Sequence, residues 1–372
     1  MRIAVVNSGS ATIKAALLDV GPGGTEELAR AARDLAPRQP LSAVCEALLS
    51  EVCGQQRVDA VAHRVVHGGK LSACSEITPA VEAAIRDAIH LAPLHNPEAL
   101  ACIAAARELF PGRPMVAVFD TAFHANMPAE ARSFALPPDV VSRLGLVRYG
   151  YHGLAHESLT QQLSAATGVP IEATAGVTLQ LGSGCSAAAI RDGQSIETSM
   201  GFSTFDGLVM ARRPGSVDPG VVLELIQTGM TVDEVRALFS ERSGLLGVGG
   251  DGDIRALLRR EAAGDEPATL ALGLFVHRIV ATVGAYFTFL GGHGALVFGG
   301  GIGTHSAVIR ERVAKRLHAW QIALDPTRNA EPQPGMISVA GSRPVYVFET
   351  NEERVAATEA YVCLTGWRDT HD

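Results

Sequence analysis

Positive charge is in deficit: 31 Lys and Arg stand against 39 Asp and Glu in 372 residues, a formal net charge of −8. That balance argues against a nucleic-acid binder or a basic membrane-surface protein, both of which work by neutralising phosphate. Any anion must therefore be recruited by local groups. Paired cysteines are lacking as well. Cys45, Cys53, Cys74, Cys102, Cys185 and Cys363 show no C-x-x-C pair and no regular spacing, which suits buried thiols in a reducing cytosol better than a disulfide framework. Long apolar runs are missing too. The stretch Met1 to Val6 is too short for a signal peptide, and no run approaches a membrane span uninterrupted by charge or glycine. The expectation is a soluble cytoplasmic protein with no nucleic-acid or membrane partner. Charged residues make up only 19% and hydrophobic ones 47%, enough apolar material for two buried cores.

What is present is a glycine-rich turn near the middle, Leu181-Gly182-Ser183-Gly184-Cys185-Ser186, between the apolar runs Gly176 to Leu179 and Ala187 to Ile190. Strand, tight turn, strand reads as a hairpin whose N–H groups face an anion, because glycine lets main chain approach phosphate oxygens closely. The N-terminus repeats the design, with Ile3 to Val6, the turn Asn7-Ser8-Gly9-Ser10, and Ile13 to Asp19. Two such hairpins half a chain apart imply a duplicated two-domain protein holding a phosphate chain between its halves.

Along the chain, residues 21–40 read as surface loop, Ser42 to Val52 as a helix and Val58 to His63 as a strand ending in Arg64. Thr78-Pro79 and Asn96-Pro97 open helices, and Pro114 to Phe119 is a buried strand. Asp120 follows at its C-terminal end, the edge where open α/β sheets bind ligands. Arg148 to Gly153 leads into a helix through His156. The stretch Ser199 to Gly220 is a long irregular loop holding Arg212 and Arg213, and loops of that kind are usually functional. Thr231-x-x-Glu234 is a capping box, Gly247 to Asp253 a glycine-rich loop, and Pro267 to Phe289 a long apolar helix. Gly299 to Gly303 reads as the turn after the strand Ala295 to Phe298, and Thr350-Asn351-Glu352-Glu353 caps a last helix.

Several of these motifs resemble the acetate and propionate kinase family of the actin, hexokinase and Hsp70 superfold. They are VNSGSATIK at 6–14, HRVVHGG at 63–69, APLHNP at 92–97, FDTAFH at 119–124, RYGYHG at 148–153, ETSMGF at 197–202, SGLLGV at 243–248, GGIG at 300–303 and TNEE at 350–353, in family order. The resemblance implies an α/β fold of two duplicated actin-like, ribonuclease H-like domains with a nucleotide cleft between them. The expected domains are 1–122, completed by the C-terminal helix 353–372, and 123–352, which carries the nucleotide and the homodimer contact.

It also implies phosphoryl transfer between ATP or ADP and acetate or another short carboxylate, with Mg²⁺, or Mn²⁺ in its place. Such chemistry needs positive groups around the phosphoryl, a metal site and little covalent work from the protein. The matching catalytic positions are Arg64, Asp120, His152 and Arg213; the arginines are planar forks suited to carboxylate and phosphate oxygens. Asn7 and Glu352 match the metal site. Ser10, Thr12, Lys14, Gln180, Leu181, Gly182, Ser183 and Gly184 match the phosphate turns. Asp253, Ile254, Arg255, Gly301, Ile302, Gly303 and His305 lie in the adenosine segments. The carboxylate's apolar end would meet Val66, Leu94, Tyr151 and Thr204, beside Arg64. His67 and His124 are read as structural, and a metal shared by His152 and His156 at i and i+4 finds no convincing third ligand.

Departures from the family pattern are Gln180 for histidine, Ser183 for asparagine, Thr304 and His305 for glutamate and asparagine, and Thr204 for proline. These leave open a binding-only nucleotide sensor, a pyrophosphate donor or a larger carboxylate.

Overall fold

A computed structural model describes residues 1–9, 12–35, 40–93, 95–331 and 333–366; the expected site residues Ser10 and Leu94 lie outside them. The chain forms two compact units, Met1–Ala125 with Asn351–Asp372, and Asn126–Thr350.

The first unit is a six-stranded sheet of β1 (Arg2–Ser8), β2 (Thr12–Gly21), β3 (Gly24–Asp34), β4 (Ala60–Val65), β5 (Ser75–Glu76) and β6 (Met115–Phe119), in the order β3-β2-β1-β4-β6-β5. β1, β4 and β6 run parallel, with Val6 opposite His63 and Val65 opposite Phe119. Their near-continuous Ile, Val and Ala content reflects burial on both faces. The helices Leu41–Cys53 and Asn96–Leu109 cover one face, burying Leu48, Leu49, Cys102 and Ile103 against Ile13, Leu17 and Val61. The helix Pro79–Asp87 opens as its sequence implies, with Thr78 Oγ1 accepting from Val81 N and proline in the first turn.

The second unit repeats the plan. Its strands are β7 (Gly176–Leu181), β8 (Cys185–Arg191), β9 (Gln194–Thr198), β10 (Ala295–Gly299), β11 (Gly335–Met336) and β12 (Val345–Val347), in the order β9-β8-β7-β10-β12-β11. Counted from its own first strand, this is the order of the first sheet, with the same antiparallel hairpin and parallel centre. The long helix Glu266–Phe289 buries Leu272, Phe275, Ile279, Val283 and Phe287 along one face. Among the described residues it is the one helix long and apolar enough to cross a membrane, and part of its apolar surface is packed within this unit.

Three readings of the sequence are corrected. Residues 24–34 are an edge strand where loop was expected. Most of its residues are exposed, so it lacks an apolar alternation, and polar contacts hold it: Thr12 Oγ1 donates to Asp34 at 3.0 Å and Arg30 to Asn351 at 2.9 Å. Gly300–His305 is a short helix where a turn was expected. The fully buried Arg310 holds its end, donating to the carbonyls of Gly303 and Thr304 at 2.8 and 2.6 Å. Part of the glycine-rich loop 247–253 belongs to the helix Gly244–Gly249, whose first N–H groups are taken by Met210 and Ala211 carbonyls at 2.9 Å.

Candidate active site

The expected site side chains gather into two groups, one in each unit. In the first, the parallel centre of the sheet brings three strand ends side by side, so that Asn7 near the end of β1, Arg64 on β4 and Asp120 just past β6 become neighbours. Arg64 grips Asp120 with both arms, Nε to Oδ1 at 2.8 Å and Nη2 to Oδ2 at 2.7 Å. Its third nitrogen donates to Asn7 Oδ1 at 2.8 Å and lies 3.3 Å from Glu352. The Asn7 amide donates to Glu352 at 2.8 Å and Glu353 at 2.7 Å. Both glutamates open the C-terminal helix Glu352–Thr365, where its dipole favours negative charge. Arg30 reaches Glu353 at 3.5 Å.

Asp120 and Glu353 are almost wholly buried. Burial pushes the Asp120 carboxyl up, and the Arg64 guanidinium opposes that rise. Burial disfavours charge on Arg64 too, but Asp120 and then Glu352 outweigh it and raise the guanidinium above its usual value. Three carboxylates thus share two guanidinium groups, and the surplus is acidic. No ready-made cluster of three acidic, histidine or cysteine metal ligands occurs among the described residues. The donor set, hard oxygens from one or two carboxylates, is what Mg²⁺ takes when phosphate and water complete its shell.

The second group surrounds the β7–β8 turn, which closes with Gly182 N donating to the Gly184 carbonyl at 3.0 Å. A Cβ on Gly184 would sit 2.8 Å from Arg213 Nη2 and 3.2 Å from His152 Nε2, so only glycine admits both side chains here without a shift. Arg213 donates to the Thr204 carbonyl at 2.9 Å and has no carboxylate partner among the described residues. Burial lowers its affinity for a proton. His152 is one of three described non-glycine residues in the left-handed region, with φ of 60°. Such strain concentrates at functional sites. Its Nδ1 lies 2.9 Å from Ser186 Oγ, and Ser186 Oγ lies 2.8 Å from His156 Nε2.

The other expected residues are distributed over the same two units. Ser183 O accepts from Ala211 N at 3.1 Å, and Gly252 backs onto Ala211 just before Asp253, which caps the helix Ile254–Ala262 through Arg255 N. Ile254 is buried, while Arg255 is exposed and paired with Asp253 at 2.8 Å. Gly300 lies against Leu181, which brings the segment Gly301, Ile302, Gly303 beside the turn; His305 is exposed at its end. The buried Gln180 Oε1 has no hydrogen-bond partner among the described residues. Tyr151 is buried with its hydroxyl on the Phe202 carbonyl at 2.8 Å. In the first unit Val66 is buried, Lys14 is exposed on β2 opposite Asn7, and Thr12 is tied to Asp34. His124 and His67 are fully buried.

Sequence reasoning missed Glu353 as a partner of Asn7, although the adjacent Glu352 in the same motif was the available signal. It missed Arg310 and the Ser186 and His156 contacts, for which no local pattern exists. The i, i+4 pairing of His152 and His156 does have a meaning: both His156 ring nitrogens meet hydroxyls, Thr178 Oγ1 and Ser186 Oγ, at 2.8 Å.

The sequence profile of the acetokinase family matches residues 26–358. This chain belongs to the acetokinase family. It is 39% identical to the acetate kinase of Micrococcus luteus over 379 aligned positions, covering 96% of this chain and 98% of that one. Among solved structures it resembles the acetate kinase of Porphyromonas gingivalis, with a TM-score of 0.87, 33% identity and coverage of 98% of this chain and 100% of that one. It is equally similar to a propionate kinase from Francisella tularensis, with a TM-score of 0.87, 32% identity and coverage of 96% and 98%. Each unit of this acetokinase is an actin-like domain.

Proposed function

We propose that this acetokinase transfers the γ-phosphoryl of ATP to acetate or propionate, reversibly, by direct in-line displacement. A carboxylate oxygen forms the new bond to phosphorus while the bond to the β–γ bridging oxygen breaks. The products are an acyl phosphate and ADP. No base is required, because the acceptor is already ionised at neutral pH.

The observation that carries this reading is the acid-free Arg213 guanidinium beside His152 over the bare Gly184 backbone. A buried cation with no counter-ion is a site for an anion, and charge spread over a transferring phosphoryl is what such a pair stabilises. On the family pattern Arg64 is assigned to the carboxylate, and Val66, Tyr151 and Thr204 to its apolar end. The same pattern assigns Thr12 and Lys14, and residues 180–184, to the phosphates. Asp253 to Arg255, Gly301 to Gly303 and His305 line the adenosine. Asn7 and Glu352, with Asp120, would hold Mg²⁺, which would offset phosphate charge when bound.

The exposed apolar surface of the second unit supports a homodimer. The helix Pro219–Gln227 buries none of its residues and leaves Val221, Leu223 and Ile226 at 46%, 61% and 42% exposure; Leu270 and Leu274 on the long helix are also exposed. Patches of this kind mark interfaces. The enzyme is assigned to the cytoplasm. The test is acyl phosphate formation from MgATP with acetate or propionate and ATP formation in reverse, with pyrophosphate as a second donor. Product from ATP in both directions is expected; none in either direction would end the assignment.

A further inference from the structure

We propose that Ser186 and His156 are positioning residues that hold His152 in the tautomer carrying its proton on Nε2, the ring nitrogen that approaches Gly184. The inference rests on His152 being the ring that donates to the transferring phosphoryl.

Four side chains form one unbroken line. His152 Nδ1 lies 2.9 Å from Ser186 Oγ, Ser186 Oγ 2.8 Å from His156 Nε2, and His156 Nδ1 2.8 Å from Thr178 Oγ1. Ser186, His156 and Thr178 are fully or almost fully buried. They come from three elements: Thr178 from β7, Ser186 from β8, and His156 from the helix Gly153–Thr167, one turn beyond His152. A hydroxyl has one proton and two lone pairs, and the buried Ser186 Oγ meets no partner besides these two rings among the described residues, so its proton is satisfied only by donating to one ring while it accepts from the other. The protonation of the two rings is thereby locked together, and the line runs in one of two directions.

In the first direction Thr178 donates to His156 Nδ1, His156 Nε2–H donates to Ser186, and Ser186 donates to His152 Nδ1. His152 is then neutral with its proton on Nε2, ready to donate to an anion. In the second, His152 Nδ1–H donates to Ser186 and its Nε2 is bare. It could then donate there only as an imidazolium, a second cation beside the Arg213 guanidinium in a desolvated setting, which like charges disfavour. Thr178 Oγ1 agrees with the first direction. Its alternative acceptor, the Ala188 carbonyl, is 3.5 Å away, against 2.8 Å for His156 Nδ1. The left-handed backbone at His152 is where such an anchor is needed, since a strained residue persists only when its surroundings over-determine it.

The direct test is ¹⁵N NMR of the nucleotide-free protein labelled at histidine, with His152 assigned from the spectrum of His152→Gln. A neutral ring protonated at Nε2 is expected. A ring protonated at Nδ1 would overturn the proposal. For function, Ser186→Ala should lower kcat by about 10- to 100-fold, by analogy with the loss when the partners that orient metal-ligating histidines are removed, with KM for ATP unchanged. Ser186→Thr, which keeps the hydroxyl, should recover most of the turnover. Wild-type turnover in Ser186→Ala with the His152 tautomer unchanged would also refute it. If the unmodified protein makes no acyl phosphate, the proposed reaction fails while the NMR result still decides the relay.

Discussion

The two units fold the same sheet and equip it in opposite ways. In the first, the functional groups sit at the ends of the repeated strands, and its central arginine is saturated: Arg64 meets Asp120 through two nitrogens, Asn7 through a third, and Glu352 at 3.3 Å. In the second, the corresponding parallel strands end in Phe298-Gly299 and Val347, and the chemistry enters from outside the repeat. His152 precedes the helix Gly153–Thr167, and Arg213 lies in the irregular loop after β9, donating to the Thr204 carbonyl and meeting no acid among the described residues. The two units share one sheet plan, and the residues set on it make one acidic and the other anion-seeking. A saturated arginine should matter for stability as well as for the substrate, an unsatisfied one for turnover alone.

The largest effect that sharpens this contrast is on rate. Arg213→Ala should lower kcat by about 10³- to 10⁵-fold, the contribution of a well-placed arginine in phosphoryl transfer, while circular dichroism stays native. Near-normal turnover would remove its role. Next comes the acidic group. Asn7→Ala deletes the amide that links Glu352 and Glu353, and the Mg²⁺ concentration for half-maximal activity should rise about 10- to 100-fold; an unchanged Mg²⁺ titration would show that the amide has no part in the metal site.

The smallest effect concerns pH. His63, on β4 beside Arg64, is fully buried with neither ring nitrogen partnered among the described residues, and burial lowers its pKa from 6.5 to about 3. As pH falls below 6.5 the unfolded chain takes up the proton and the folded one does not. Stability is therefore present above 6.5 and is lost progressively down to about 3. His63→Leu should escape this loss, gaining on the wild type by about 1.4 kcal/mol per pH unit between 6 and 4. Parallel denaturation curves with a constant gap would contradict the assignment.

Much of this was legible in the sequence because the signals were local. The two hairpin turns, the Thr78 and Thr231 caps, and the strand-end placement of Arg64 and Asp120 follow from spacing and from the rule that ligands gather at carboxyl strand ends. The edge strand 24–34 was not legible, because its largely exposed residues carry no alternation. Nor was the Gly300–His305 helix, since glycines signal a turn unless a partner far along the chain, here Arg310, holds the carbonyls. The relay behind His152 was hidden for the same reason: Thr178 and Ser186 read as ordinary strand residues until the fold sets them against one helix.

The most direct measurement is a pair of denaturation curves at neutral pH for Arg64→Ala and Arg213→Ala. Removing Arg64 leaves Asp120 buried without its bidentate partner, which should cost about 3 to 5 kcal/mol. Removing Arg213 strands no carboxylate and relieves a desolvated charge, so stability should hold or rise even as turnover collapses. Equal destabilisation by the two substitutions, or a larger loss for Arg213→Ala, would contradict the division between a saturated and an anion-seeking arginine.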